Sequence, residues 1–282
     1  MKRYHFIVAA LLVLPVFFSC GGKDDPIDPD NPSTPSTPST PSEPSVPDTP
    51  VPAEPQIEFR RTFRFGNNII SANGSKDFIA VFEDGLITKA GDERQILTGK
   101  FSFDNSGKAY DFSGFGKLEL LEGDKIAFTP SDGIRSVYDA EVSEIVADEG
   151  SNANRMNGSW TINEAIVEFR GVTKTFKGLD LNEVERFVKD LGYEFAIDVE
   201  DNMVVTKVIL TDALAAVEFK NGQSFAAEHN LRQGDSFSLS EFSNDLEGTA
   251  KVQFVDELCV ITINSSFEQE PAKLRFTLKP VK

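Results

Sequence analysis

The chain is short of cysteine, histidine, tryptophan and positive charge, and each shortage removes a class of function. It holds two cysteines, Cys20 and Cys259. Cys20 closes an N-terminal apolar segment; once it is consumed by an attachment, Cys259 has no partner for an intramolecular disulfide. Cys259 stands in Leu258-Cys259-Val260-Ile261-Thr262-Ile263, a run apolar on both faces, and reads as a buried, inert thiol. Two histidines are present, and His5 lies in the same N-terminal segment, which leaves His229. One histidine builds neither a multi-histidine zinc site nor paired axial haem ligation. No nucleophile-elbow sequence accompanies His229, so it reads as a solvent-facing strand-end residue. Lys and Arg number 28 against 45 Asp and Glu, a formal net charge of −17. Nucleic acid is excluded as a partner, because its binding needs a basic surface. Aromatic residues comprise 24 Phe, 4 Tyr and 1 Trp. Sugar platforms want a ring with a polar handle, so this balance favours apolar packing over a carbohydrate-binding face.

What is present begins with an export signal. Lys2 and Arg3 are followed by the apolar run Phe6 to Phe18, broken by Pro15 and closed by Ser19-Cys20. A bilayer span takes about 20 apolar residues, so the run is too short to cross and has the order of a cleaved secretory signal. The surroundings of Cys20 resemble a bacterial lipobox, and the following Lys23-Asp24-Asp25 resembles the surface-export tag of Bacteroidetes lipoproteins. The resemblance implies lipidation at Cys20 and export directed by Lys23, Asp24 and Asp25. The expected location is the outer membrane, facing outward. Removing the signal takes away two positive charges and makes the mature chain more acidic still.

Prolines then recur at every third position from Pro26 through Pro50, followed by Pro52 and Pro55. That spacing aligns them on one edge of a polyproline II helix, a semi-rigid stalk that reaches about 90 Å at roughly 3.1 Å per residue. Its Ser and Thr residues are candidate O-glycosylation positions.

From Gln56 the pattern becomes phenylalanine-rich strands. Ile57 through Phe65 alternates with period two, apart from Arg61 on the apolar face. Further strands are expected at 78–82, 85–89, 95–103, 108–112, 117–121, 125–129 and 134–146. Turn sequences such as Asp104-Asn105-Ser106-Gly107 and Glu122-Gly123-Asp124 separate them. Residues 147–157 are small and polar, and mark a boundary.

A second domain opens with Gly158-Ser159-Trp160 and a strand through Phe169, whose apolar phase changes near Glu164 and predicts a bulge there. One helix follows: Asp180 caps it, Glu183 completes a capping-box spacing, and Gly192 stops it. Eight further strands are expected at 193–199, 203–210, 213–220, 223–228, 236–242, 249–255, 258–263 and 273–279. Asn221-Gly222 predicts a type I′ hairpin. The expected class is all-β, mainly antiparallel. The division is signal 1–19, lipid-anchored linker 20–55, N-terminal β domain 56–149 and a C-terminal barrel domain 150–282 with one helix after its first strand.

Gly158-Ser159-Trp160 resembles the Gly-x-Trp entry of lipocalins and fatty-acid-binding proteins. That resemblance implies that Trp160 plugs the barrel base under a basic residue of the last strand, with Arg275 the best match and Lys273 and Lys279 as alternatives. Gly158 through Leu278, with Phe176-Lys177-Gly178-Leu179-Asp180-Leu181, is similar to the lipocalin-like domains of Bacteroidetes surface lipoproteins. The Gly99 to Leu120 stretch, with Gly114-Phe115-Gly116, is similar to the β domain that precedes them.

Candidate sites are few. Ala213, Ala215, Ala216, Ala226 and Ala227 either line a cavity or relieve a packed barrel, and packing is the expectation. The acidic turns Asp104-Asn105-Ser106-Gly107 and Asp198-Val199-Glu200-Asp201-Asn202 carry oxygen ligands but not the EF-hand loop, so neither is taken as a metal site. No pair among the 45 acidic residues is singled out by spacing for glycoside hydrolysis. No catalytic residue, metal or cofactor is therefore expected, and the chain is read as no enzyme. The expected function is a lipid-anchored binding module for an apolar small molecule. The alternative is an interaction or scaffold protein, an accessory of a nutrient-uptake system or an adhesin, that uses strand edges and loops to meet other surface proteins.

Overall fold

Alternating phenylalanines need a closed surface on which to turn their rings inward, and the first half of the chain supplies one. The computed structural model describes residues 60–82, 95–104, 106–143, 151–193, 199–228, 236–238, 247–267 and 270–281. Its first nine strands are β1 (Arg61–Phe65), β2 (Asn68–Ala72), β3 (Asp77–Phe82), β4 (Gln95–Phe103), β5 (Ala109–Phe112), β6 (Gly116–Leu121), β7 (Lys125–Pro130), β8 (Ser136–Asp139) and β9 (Glu141–Ser143). Each pairs antiparallel with the next as far as β8, and β9 returns to β1, giving a nearly closed nine-stranded barrel. The turning point is Ala140. Its N–H donates to Asp124 O (2.8 Å) at the end of the β7 pairing, after which the chain crosses to β1.

The barrel interior is filled with rings. Phe63, Phe65, Phe78, Phe82, Phe101, Phe112, Phe115, Phe128 and Tyr110 are all buried in one cluster. Phe63 meets Tyr110 edge-on at 5.1 Å, and Phe78 meets Phe112 at 4.9 Å, the offset geometry that aromatic quadrupoles favour. Gly116 admits this packing: a Cβ there would lie 2.6 Å from Thr129 O. Arg61, the one break in the alternation of β1, donates to Gly107 O (2.8 Å) and Tyr110 Oη (2.6 Å), placing a charged head over an aromatic lining.

The second half forms another antiparallel sheet. Its strands are β10 (Gly158–Phe169), β11 (Val172–Lys177), β12 (Val205–Leu210), β13 (Leu214–Phe219), β14 (Ser224–Glu228), β15 (Ser236–Ser238), β16 (Glu247–Val255), β17 (Leu258–Phe267) and β18 (Glu270–Pro280). The order is β14-β13-β12-β10-β18-β17-β16-β15, with β11 on the distal half of β10. Two helices accompany it among the described residues, α1 (Asn152–Met156) and α2 (Leu181–Asp190). Asp180 caps α2 by accepting from Asn182 N (2.9 Å), and Gly192 leaves it with φ 86°. Leu181, Val184, Phe187 and Val188 are its buried face.

The bulge in β10 is present, with the register shifting between Ile162 and Glu164. The type I′ turn lies elsewhere. Asn221 does not adopt positive φ; Gly222 does, at 89°, and donates to Phe219 O (3.0 Å), which is a type I turn with a glycine bulge. The turn with two adjacent positive φ values is instead Arg170 (52°) and Gly171 (75°), joining β10 to β11. β2 and β11 are strands that the sequence pattern does not predict. The proposed strand at 85–89 lies outside the described residues, as does most of that at 193–199.

Candidate functional site

The two sheets belong to one compact unit, and the chemistry concentrates where they meet. β3 alternates its side chains between two cores: Phe78, Ala80 and Phe82 point into the first barrel, while Ile79 and Val81 point out of it. Ile69 of β2 joins that outer face, and Ile209, Ala213, Leu214, Ala216 and Ala226 of the second sheet pack against it. Both faces of β2 and β3 are therefore buried, which is why Phe78–Phe82 reads as a continuous apolar run. The alanines have their explanation here. Ala213, Ala216 and Ala226 thin one face so that two sheets can approach, while Ala215 lies in the second core.

At the rim of this apolar interface sits Asp77, fully buried. Its Oδ1 accepts from Lys207 Nζ (2.6 Å), and its Oδ2 from Lys100 Nζ (3.0 Å) and Ser159 Oγ (2.5 Å). A buried carboxylate is costly unless charge and hydrogen bonds satisfy it, and here both do. Asn73 organises the approach. Its Oδ1 accepts from Ser75 N and Asp77 N, each 3.0 Å, and its Nδ2 donates to Leu210 O at 3.1 Å. Gly158 lies against the same turn, since a Cβ there would meet Ser75 Oγ at 3.3 Å. Lys207, Ser159 and Leu210 come from the second sheet, Asp77 and Lys100 from the first, and Asn73 from the turn between β2 and β3. The cluster is a polar clamp across the junction.

Serine beside lysine is also the material of a nucleophile and its base. The geometry directs them otherwise: Ser159 Oγ and Lys207 Nζ both donate to Asp77, and Ser159 is 2% exposed. Both are engaged by the same carboxylate, so the arrangement orients and holds the two strands.

Trp160 is buried, with its indole Nε1 donating to Met156 O (2.7 Å) and its ring 6.2 Å from Phe254. The stacking cation is not Arg275. Arg275 pairs with Ile166 well along β10 and faces solvent, as do Lys273 and Lys279, because β18 turns these three side chains to the outer face. Arg155 of α1 stacks on the neighbouring ring, its guanidinium 3.8 Å from the Phe254 centroid. Gly158-Ser159-Trp160 thus serves the junction residue by residue: close approach, clamp and core.

Other candidates are accounted for locally. Asp104 accepts from Ser106 Oγ (2.6 Å), Lys108 N (3.0 Å) and Ala109 N (3.1 Å). These bonds, the Ser106 hydroxyl foremost, hold its carboxyl below the usual range, and they spend its lone pairs on the turn. Glu200 accepts from Gln223 Nε2 (2.8 Å). Cys259 is buried, and burial pushes its thiol up to about 12. Cys20, Lys23, Asp24, Asp25, Asp198 and His229 lie outside the described residues. An open groove of about 540 Å³ runs along the barrel rim, lined by Gly123, Asp124, Asp139, Ala140, Glu141 and Val142. No sequence pattern announces it, because its residues are gathered from a turn and from the β8–β9 crossing.

No protein-family model matches the chain, and a search of the curated proteins found no match.

Proposed function

We propose that the chain is a lipid-anchored lipoprotein of the outer membrane, facing outward, whose globular head is a non-catalytic interaction module working through its outer surface. The observation that carries this reading is the first barrel's interior, filled by its own side chains: Phe63, Phe112 and Phe128 are at 0% exposure and ring meets ring throughout. A barrel of this size either holds a small ligand or is filled, and the rings take the second course. The Asp77 clamp supports the same reading, since it fixes two sheets into one presenting surface. In this reading the second sheet is a lipocalin-like barrel, supported by the way β10 pairs on one edge with β18 and on the other with β11 and β12. Other surface proteins are the partners. The lipobox-like Cys20 supplies the anchor, and two or more acyl chains give stable attachment.

Two experiments test the reading. Cys20→Ala should release the protein from the membrane fraction, and replacing Lys23, Asp24 and Asp25 with Ala should lower its accessibility to protease on intact cells. Unchanged attachment in the first case, or unchanged accessibility in the second, counts against it. Solvent extraction of the purified chain followed by mass spectrometry addresses the apolar-ligand alternative. A lipid recovered in stoichiometric amount would move the function inside the second sheet.

A further inference from the structure

We propose that the notch beside β9 docks an extended, basic segment of another protein as an added strand; this rests on reading the head as an interaction module. The final strand of the first barrel is paired on one edge in each half, β8 with β7 and β9 with β1. Ala140 N donates to Asp124 O on the β7 side, so the period-two alternation of a strand turns the N–H and C=O of Val142 to that side too. Beyond Asp124 the β6–β7 turn bends away, with Gly123 at φ 70° and Asp124 at φ 53°. Among the described residues no strand follows to pair with that edge of β9. The groove of about 540 Å³ opens at this place and includes Val142 in its lining.

The lining chooses the occupant. Asp124, Asp139 and Glu141 put carboxylates along the notch. Lys125 reaches Asp139 at 3.5 Å, but with exposures of 52% and 91% that pair is easily exchanged for another cation. A second copy of this chain would bring its own excess of negative charge (−17), so the complementary partner is basic. Val142, in the lining, is 36% exposed and offers apolar contact to a side chain of the added strand. β9 reads Glu-Val-Ser, with neither the lysine nor the proline that commonly blunts an edge. Backbone bonds to Val142 would give affinity and the carboxylates would give selection, the division of labour in strand addition.

The probe is a fluorescent, end-capped heptapeptide of alternating Lys and Val, titrated into the full chain in detergent, with the Glu/Val peptide as control. The Lys/Val peptide should bind and protect the Val142 amide from hydrogen exchange, and the control should not. Glu141→Lys should weaken binding by about tenfold or more, because it reverses an exposed charge at the rim. Val142→Pro should abolish the protected contact while sparing the β1 pairing, since the lost N–H faces away from β1. Protection appearing elsewhere, equal binding of the control, or affinity unchanged by Glu141→Lys overturns the proposal as mere attraction to an acidic surface. On intact cells, a photo-crosslinker at position 142 should capture a partner. Capture only from position 273 on the second sheet overturns the notch alone, and capture from neither overturns the interaction reading as well.

Discussion

The first barrel is packed with phenylalanine rings and closes almost entirely on itself; the second sheet is packed with branched aliphatic side chains and needs helices to cover its core. Rings such as Phe65, Phe82 and Phe128 span a barrel's width from short strands, so a meander of four- to nine-residue strands suffices among β1 to β7. The second core draws on Val184 and Phe187 of α2, and on Met156 of α1 beneath Trp160. The ringed barrel is a block with a finished interior, and the second sheet leans on it through Ile79, Val81, Leu214 and Ala216 and through the Asp77 clamp.

The largest break in that comparison is expected at the clamp. Asp77→Ala leaves Lys207, whose side chain is 18% exposed, without its acceptor, and should destabilise the full chain by about 3–5 kcal/mol in denaturant melts. Lys100→Met removes a partner that is 58% exposed and should cost about 1 kcal/mol or less. Equal effects would mean that the junction is solvated. At the far end of the second core, Trp160→Ala should also cost about 3–5 kcal/mol by emptying a buried site. Arg155→Ala should cost about 1 kcal/mol through lost stacking on Phe254, and Arg275→Ala close to nothing. A large effect at Arg275 would restore the stacking partner that the register denies.

A smaller effect sharpens the contrast in pH. Cys259 is raised by burial from 9.0 to about 12, so the unfolded chain releases this proton first. The stability it contributes is fully present below pH 9 and is lost as pH rises from there toward about 12, at up to about 1.4 kcal/mol per unit. Cys259→Val should flatten that part of the alkaline profile; an unaltered slope would show that other groups set it.

The sequence was most legible where one face of an element is wet. β6 alternates plainly, and α2 announces itself through Asp180, its apolar stripe and Gly192. It was least legible where partners are distant in the chain. β11 was missed because Thr173, Lys174, Thr175 and Lys177 make it polar, and β2 because Asn68 looks like a turn residue although it is buried here. Asp77 in front of an apolar run reads as a strand boundary; only Lys207 and Ser159, brought in from the second sheet, make it a clamp. The alanines of β13 carried a usable signal, since small residues on one strand face mark a close neighbour, but nothing named the neighbour as the first barrel.

Both sheets are expected to fold as one cooperative unit, and Cys259 reports on it. Cys20→Ala leaves Cys259 as the lone thiol of the chain, buried in the second core. In that background, Phe128→Ala empties a site in the first barrel and should cost about 3–5 kcal/mol. If the sheets open together, maleimide labelling of Cys259 under native conditions should accelerate by about a hundredfold or more, matching that loss. A labelling rate unchanged by Phe128→Ala, with the first barrel unfolding in a separate transition, would mean that the two sheets unfold independently.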